Sequence, residues 1–280
     1  MSFPIVEIFG FPPDNDSPSA NATREAYRCP FLDQVCVKEG HDIPMPLGTC
    51  TVTSRYGPVV TCPKRFYGDA HALLDRVADY FFVESGEVLR IPEVGPNQQS
   101  SLDWIVVRHD FHGNLLDYHG VEVQAIDITG SVKPYFLAYM NDEDVSEIDH
   151  RHGINWANVF KRLIPQMLAK GAMLASYGKN LGVLVQDQLL DYIERSRRMR
   201  IEQEPNPDLA NIVFFPCHLE HDVEKNVYTL EMVTDPIPSS SRRLETSFIQ
   251  GLLGATVPRQ SQFEAILQKK VHDSLAASGK

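Results

Sequence analysis

The stretch that most constrains this chain runs from Ser100 to Ile128. It reads S-S-L-D-W-I-V-V-R-H, a turn D-F-H-G-N, then L-L-D-Y-H-G-V-E-V-Q-A-I-D-I. Two apolar, β-branched runs around a Gly-Asn signal predict a β-hairpin. If the turn is centred on His112-Gly113, paired residues have numbers summing to 225, which sets Asp103 opposite Glu122. Gln124, two residues on, shares their face. Like charges placed directly opposite each other destabilise a sheet, by a few tenths to about 1 kcal/mol, so this pair calls for a compensating cation. Mg²⁺, a hard ion that takes oxygen ligands, is the natural candidate. Asp127 falls on the other face and reads as structural.

Length and charge narrow the rest. A chain of 280 residues with 43% hydrophobic and 22% charged residues has an ordinary globular composition. No apolar run of eighteen residues occurs and Met1–Gly10 lacks a basic leader, so neither a membrane span nor a signal peptide is expected. A cytoplasmic setting is expected, and the Asn21-Ala22-Thr23 sequon is then irrelevant. The net charge of −11 argues against a protein that coats nucleic acid. It leaves room for one basic cleft, built from Lys161-Arg162, Arg195–Arg200, Arg242-Arg243 or Lys269-Lys270. Each cluster can equally be a solvated helix face.

Four of the five cysteines, Cys29, Cys36, Cys50 and Cys62, lie in a segment dense in Gly, Pro and short strands. Such a segment is too irregular to bury a core, and a metal commonly substitutes for one. Reduced thiols clustered in a cytosolic protein point the same way. The gaps of 6, 13 and 11 residues match no standard zinc pattern, so four unrelated thiols remain the competing reading. Cys217, inside N-I-V-F-F-P-C-H-L, reads as a core thiol.

Along the chain, strands are expected at Thr49–Thr53 and Pro58–Cys62, and a helix at Asp69–Glu84. A strand-like V-L-R-I, the hairpin, a helix over Asn155–Tyr177 kinked at Pro165, and a buried strand at Leu181–Val185 follow. Further elements are a helix at Gln188–Arg200, strands at Asn211–Leu219 and Asn226–Val233, and a closing helix over Phe248–Leu275. His150 and His152, with Asp149, read as an exposed polar loop. Residues 1–68 form an N-terminal cysteine-bearing segment and residues 69–280 a catalytic domain.

Asp103 followed by Glu122-Val123-Gln124 on the next strand resembles the D…(D/E)-x-K core of PD-(D/E)xK nucleases, with glutamine in place of lysine. S-L-D-W, Y-H-G-V-E-V-Q-A-I-D and N-V-F-K-R (Asn158–Arg162) are similar to the NotI family of restriction endonucleases, whose pattern also carries E-x-Q. So is the order of C-P-F-L from Cys29, C-V-K from Cys36, G-T-C ending at Cys50 and T-C-P around Cys62. The likeness spans roughly Arg28 to Gly178. It implies an α/β fold with a PD-(D/E)xK core, a mixed sheet flanked by helices in the order αβββαβ, and a small four-cysteine metal module. Asp103, Glu122 and Gln124 would be catalytic, with Mg²⁺ on Asp103 and Glu122, and one iron or zinc on the four cysteines. Glu84, Glu87 and Gln166 are weaker candidates. The implied protein is a homodimeric type II restriction endonuclease acting on double-stranded DNA at a palindromic, GC-rich, CGGCCG-like site.

Three rivals stand beside it. A carboxylate pair can serve glycoside hydrolysis, but that chemistry wants several stacking aromatics, and only Trp104 and Trp156 are tryptophans. A repair or recombination nuclease would share the site without the palindrome. A non-catalytic, metal-stabilised DNA-binding protein would use the cysteine segment alone.

Overall fold

The computed structural model describes residues 3–253 and residue 264, except 41–42, 85, 96–100, 145–147, 149, 156–157, 159–161, 198 and 233–234. Its N-terminal part holds β1 (Ile5–Ile8), α1 (Pro18–Glu25), β2 (Arg28–Cys29), β3 (Gln34–Val35), β4 (Thr49–Ser54) and β5 (Gly57–Val60). Then come α2 (Gly68–Phe81), β6 (Glu87–Val94), β7 (Leu102–His109), β8 (Leu115–Gln124), β9 (Ile128–Thr129), α3 (Lys133–Met140) and β10 (Gly153–Ile154). The C-terminal part holds α4 (Ile164–Ser176), β11 (Leu181–Gln186), α5 (Asp187–Arg197), β12 (Ile212–Asp222), β13 (Val227–Met232), β14 (Ile237–Ser239) and α6 (Ser241–Leu253).

A mixed seven-stranded sheet is the frame. Its order is β13-β12-β11-β8-β7-β6, with β14 also on β12. β11 runs parallel to β8 and β12, and the other pairs are antiparallel. Helices cover both faces. The buried Val77 and Leu74 of α2 pack with Trp104, Val106, Val121 and Val123 on one side. Ile164, Met167 and Leu174 of α4 pack with Val183, Val185 and Ile212 on the other. Each such apolar side chain contributes about 1.5–3 kcal/mol on leaving water. The order α2, β6, β7, β8, α4, β11 is the αβββαβ series expected, with β9, α3 and β10 inserted before α4.

The cysteine-bearing segment is laid on this frame. Val52 and Val59 join the core beneath α4. Gln186, at the end of β11, accepts a hydrogen bond from the Val60 amide at 3.0 Å and donates one to the Pro58 carbonyl at 2.9 Å. The Ile126 amide donates to the Val60 carbonyl at 2.8 Å, so β5 continues the backbone pairing just past Gln124.

Pro165 is the second residue of α4, which directly follows Arg162 and Leu163, wound as a π-helix; residues 159–161, which precede them, lie outside the described residues. Two expectations are corrected. The closing helix begins at Ser241, not Phe248, because the Asn211 side chain accepts from the Ser241 amide at 2.8 Å and fixes its start. Residues 254–275 of the expected helix lie outside the described residues, apart from Glu264. His152 is 1% exposed, its backbone bonded to Thr53, rather than part of an exposed loop.

Candidate active site

The β7–β8 hairpin sets the site. Its pairs Trp104–Val121, Ile105–Gly120, Val106–His119, Val107–Tyr118 and Arg108–Asp117 keep the expected register. The loop is longer than a two-residue turn. Asp110 accepts from the amides of His112 and Asn114, and a bulge at His109–Leu115 closes it. Extending the register one step beyond Trp104 brings Asp103 opposite Glu122.

The two carboxylates interlock through the backbone. The Asp103 amide donates to Glu122 Oε1 at 3.3 Å, and the Val123 amide donates to Asp103 Oδ2 at 2.8 Å. Lys170 of α4 adds a third bond, with its Nζ 2.7 Å from Glu122 Oε1. Asp103 Oδ1 and Glu122 Oε2 make no bond among the described residues. Burial and then the Asp103 charge push the Glu122 carboxyl up to about 7, against the pull of Lys170. Gln124 does not reach either acid; its amide donates to the Ala125 carbonyl.

Two further groups border the pair. On edge strand β6, Pro92 pairs with Trp104 and Val94 with Leu102, so Glu93 falls beside Asp103. Its φ of 52° is the left-handed region, rare for a residue with a side chain. Tyr67 sits between this region and the cysteine segment. Burial first, then the neighbouring Asp103, Cys62 and Glu93, push its phenol up to about 12.

The weaker candidates lie elsewhere or at the rim. Glu87 pairs with His109, six residues along β7 from Asp103, which is roughly 20 Å. Glu84 forms an ion pair with Arg108 at 2.9 Å, toward that same far end. Gln166 is exposed on α4, one turn before Lys170 and on the same side. Asp127 has a structural partner, Asn158, whose Nδ2 donates to it at 2.8 Å. This bond ties the A-I-D and N-V-F-K-R segments together.

Lys170, Glu93 and Tyr67 escaped the sequence reading. A signal for Lys170 existed: it falls on the buried stripe of α4, three residues after Met167 and four before Leu174. Glu93 gave none, because β6 is an exposed edge strand without alternation.

Cys29, Cys50 and Cys62 are buried and Cys36 is half-buried. Cys62 lies near enough to Cys29, Cys36 and Cys50 to disfavour their ionisation, as Cys36 does for Cys29 and Cys29 for Cys50. Burial is the larger reason that the Cys29, Cys36 and Cys50 thiols are pushed up. Among the described residues, no group of three or more His, Cys, Asp or Glu side chains is arranged to hold a metal ion. Cys217 is a core thiol, pushed up to about 12 by burial.

A mixed sheet flanked by helices, with a carboxylate pair on adjacent strands, defines a nuclease-like core. The family model described as "Restriction endonuclease NotI" matches residues 15–230, most of the chain. The chain belongs to the NotI restriction endonuclease family: it is a type II site-specific deoxyribonuclease, and its substrate is double-stranded DNA. No curated protein and no solved structure matches it. No described helix is long and apolar enough to cross a membrane.

Proposed function

We propose that the chain hydrolyses phosphodiester bonds with Mg²⁺ held by Asp103 and Glu122, in a PD-(D/E)xK core whose motif reads E-x-Q. The observation that carries this reading is the interlocked carboxylate pair. Each acid has one oxygen fixed by the protein and one without a partner among the described residues. Mg²⁺ keeps several waters and commonly takes only one or two protein carboxylates plus substrate phosphate, so a two-acid site suits it. When bound, the ion supplies a Lewis acid for the scissile phosphate and lowers the pKa of a water. The chain's part is to hold Asp103 and Glu122 in register, to exclude water behind them with α4, and to orient the nucleophile side with Gln124. That last role requires Gln124 to leave the Ala125 carbonyl.

The same reading covers assembly. A twofold dimer matches a palindromic, GC-rich site, CGGCCG-like, with one Asp103–Glu122 pair per strand. A cleft of about 590 Å³ lined by Lys38, Thr61, Lys133, Asn155, Asn158 and Arg162 supports a DNA-facing surface beside the cysteine segment. Residues 1–68 are the cysteine-bearing segment, residues 69–280 the catalytic domain, and the setting the bacterial cytoplasm. One iron or zinc on Cys29, Cys36, Cys50 and Cys62 remains part of the proposal. The gathering of the four thiols supports it, while their present arrangement is not that of a closed cage.

Supercoiled plasmid tests the catalytic reading. The protein should linearise it in Mg²⁺, leave ends sharing one palindromic motif, and stop in chelator. Cutting that persists in chelator, or ends without a common palindrome, would refute it. Elemental analysis should find about one iron or zinc per chain. Five freely titrating thiols with no bound metal would refute the cysteine site.

A further inference from the structure

Lys170 is the lone lysine among the buried polar residues, at 8% exposed. A lysine is almost never buried unless paired, and its pairing is the Glu122 contact at 2.7 Å. No other lysine, arginine or histidine among the described residues is in ion-pairing contact with Asp103 or Glu122. Its placement is firm. Asn211 Nδ2 donates to the Gly171 carbonyl at 3.0 Å and to Ser241 Oγ at 2.7 Å, clamping α4 to β12 and α6 beside Lys170. Gly171 allows this approach, since a Cβ there would lie 2.6 Å from Ile212 Cδ1.

We propose that Lys170 is the positioning residue of the carboxylate pair. Supplied by helix α4, it is the fixed cation that the strand position of Gln124 does not provide, and it holds Glu122 Oε1 so that Oε2 and Asp103 Oδ1 stay turned to the catalytic ion. The inference rests on the Mg²⁺ reading above. An ammonium is a compact point charge with three donors, so one lysine can neutralise an acid pair locally from a neighbouring element. The amide of Gln124 carries no charge and is bonded away from both acids. Lys170 stays in place when the ion binds, so its removal harms the loaded enzyme as well as the empty one.

The test compares Lys170→Met, Lys170→Ala and Lys170→Arg. At saturating Mg²⁺, Lys170→Met should lose roughly 100-fold in kcat on plasmid, as when a single charge-stabilising donor is removed. KM and DNA binding in Ca²⁺ should stay near wild type, Lys170→Ala should be no worse than Lys170→Met, and Lys170→Arg should recover part of the loss. Lys170→Met at the wild-type rate with Lys170→Ala impaired would reduce Lys170 to packing and overturn the proposal. Tighter Ca²⁺ binding with undiminished cutting by Lys170→Met would also overturn it, making the lysine a mere stand-in for the ion.

A second readout needs no activity. In metal-free protein, Lys170→Met should lower Tm by several degrees, but change little when Glu122→Gln is already present. Equal lowering in both backgrounds would overturn the pairing. The double variant keeps the question open to measurement even if Lys170→Met alone fails to fold. If wild type showed no Mg²⁺-dependent cutting, the nuclease reading would fail while this cycle still judged the Lys170–Glu122 pair.

Discussion

The two ends of the β7–β8 hairpin solve the same electrostatic problem in opposite ways. At the loop end, two acids each meet a cation and a third lies beside a histidine. Asp117 bonds Lys179, Glu84 bonds Arg108 at 2.9 Å, and Glu87 lies 3.8 Å from His109. At the other end, Asp103, Glu122 and the adjoining Glu93 have Lys170 alone among the described residues. The loop end is mostly paired and structural. The Asp103 end is left short of positive charge, which disfavours the empty fold and suits a site that takes a divalent ion.

The pH signatures of the ends are therefore opposed. Burial pushes the Glu122 carboxyl up to about 7 from an ordinary 4.5. Its contribution to stability is full below 4.5 and is lost as pH rises to about 7. At the loop end, burial holds the His119 imidazole down at about 4 from 6.5. There the unfolded chain binds the extra proton first, so stability is full above 6.5 and is lost as pH falls toward 4. For Asp117, burial works to raise the carboxyl, but the Lys179 hydrogen bond and its other partners bring it below the usual range.

The largest expected effect separates the ends in activity. Asp103→Ala and Glu122→Ala should each cut plasmid slower by orders of magnitude while binding DNA in Ca²⁺, whereas Asp117→Ala should stay within about tenfold. Next comes stability of the metal-free protein. Glu122→Gln should raise Tm by several degrees at about pH 8 and far less at about pH 5, as calorimetry can show. Smaller still, His119→Phe should flatten the fall in Tm between pH 6.5 and about 4, even if it lowers stability overall. The smallest belongs to Glu84→Ala. Its pair with Arg108 is on a carboxylate 79% exposed, so unfolding in urea should shift by less than about 1 kcal/mol, and cutting should not change.

The hairpin was legible because Asp103 and Glu122 interrupt apolar alternation, and a period of two turns such interruptions into a shared face. The core strand Leu181–Val185 and helix α2 were legible for the same reason of period. Lys170 was not, because its partner lies 48 residues away and only the packing of α4 on β8 brings them together. Glu93 depends on a left-handed backbone at an edge strand, which no side-chain pattern announces. His152 looks like loop chemistry in sequence, yet pairing of its backbone with the cysteine-bearing segment buries it. The order of the four cysteines was visible; whether their thiols close on a metal depends on distances that spacing does not encode.

The most direct test of the charge-short end is the melting of metal-free protein at about pH 8 as Ca²⁺ or Mg²⁺ is added. A ligand that binds the native state alone raises Tm with concentration. Wild type and Asp117→Asn should both rise, and Asp103→Asn and Glu122→Gln should not. A Glu122→Gln protein stabilised by the ion as much as wild type would place the cation elsewhere and contradict the assignment of Asp103 and Glu122.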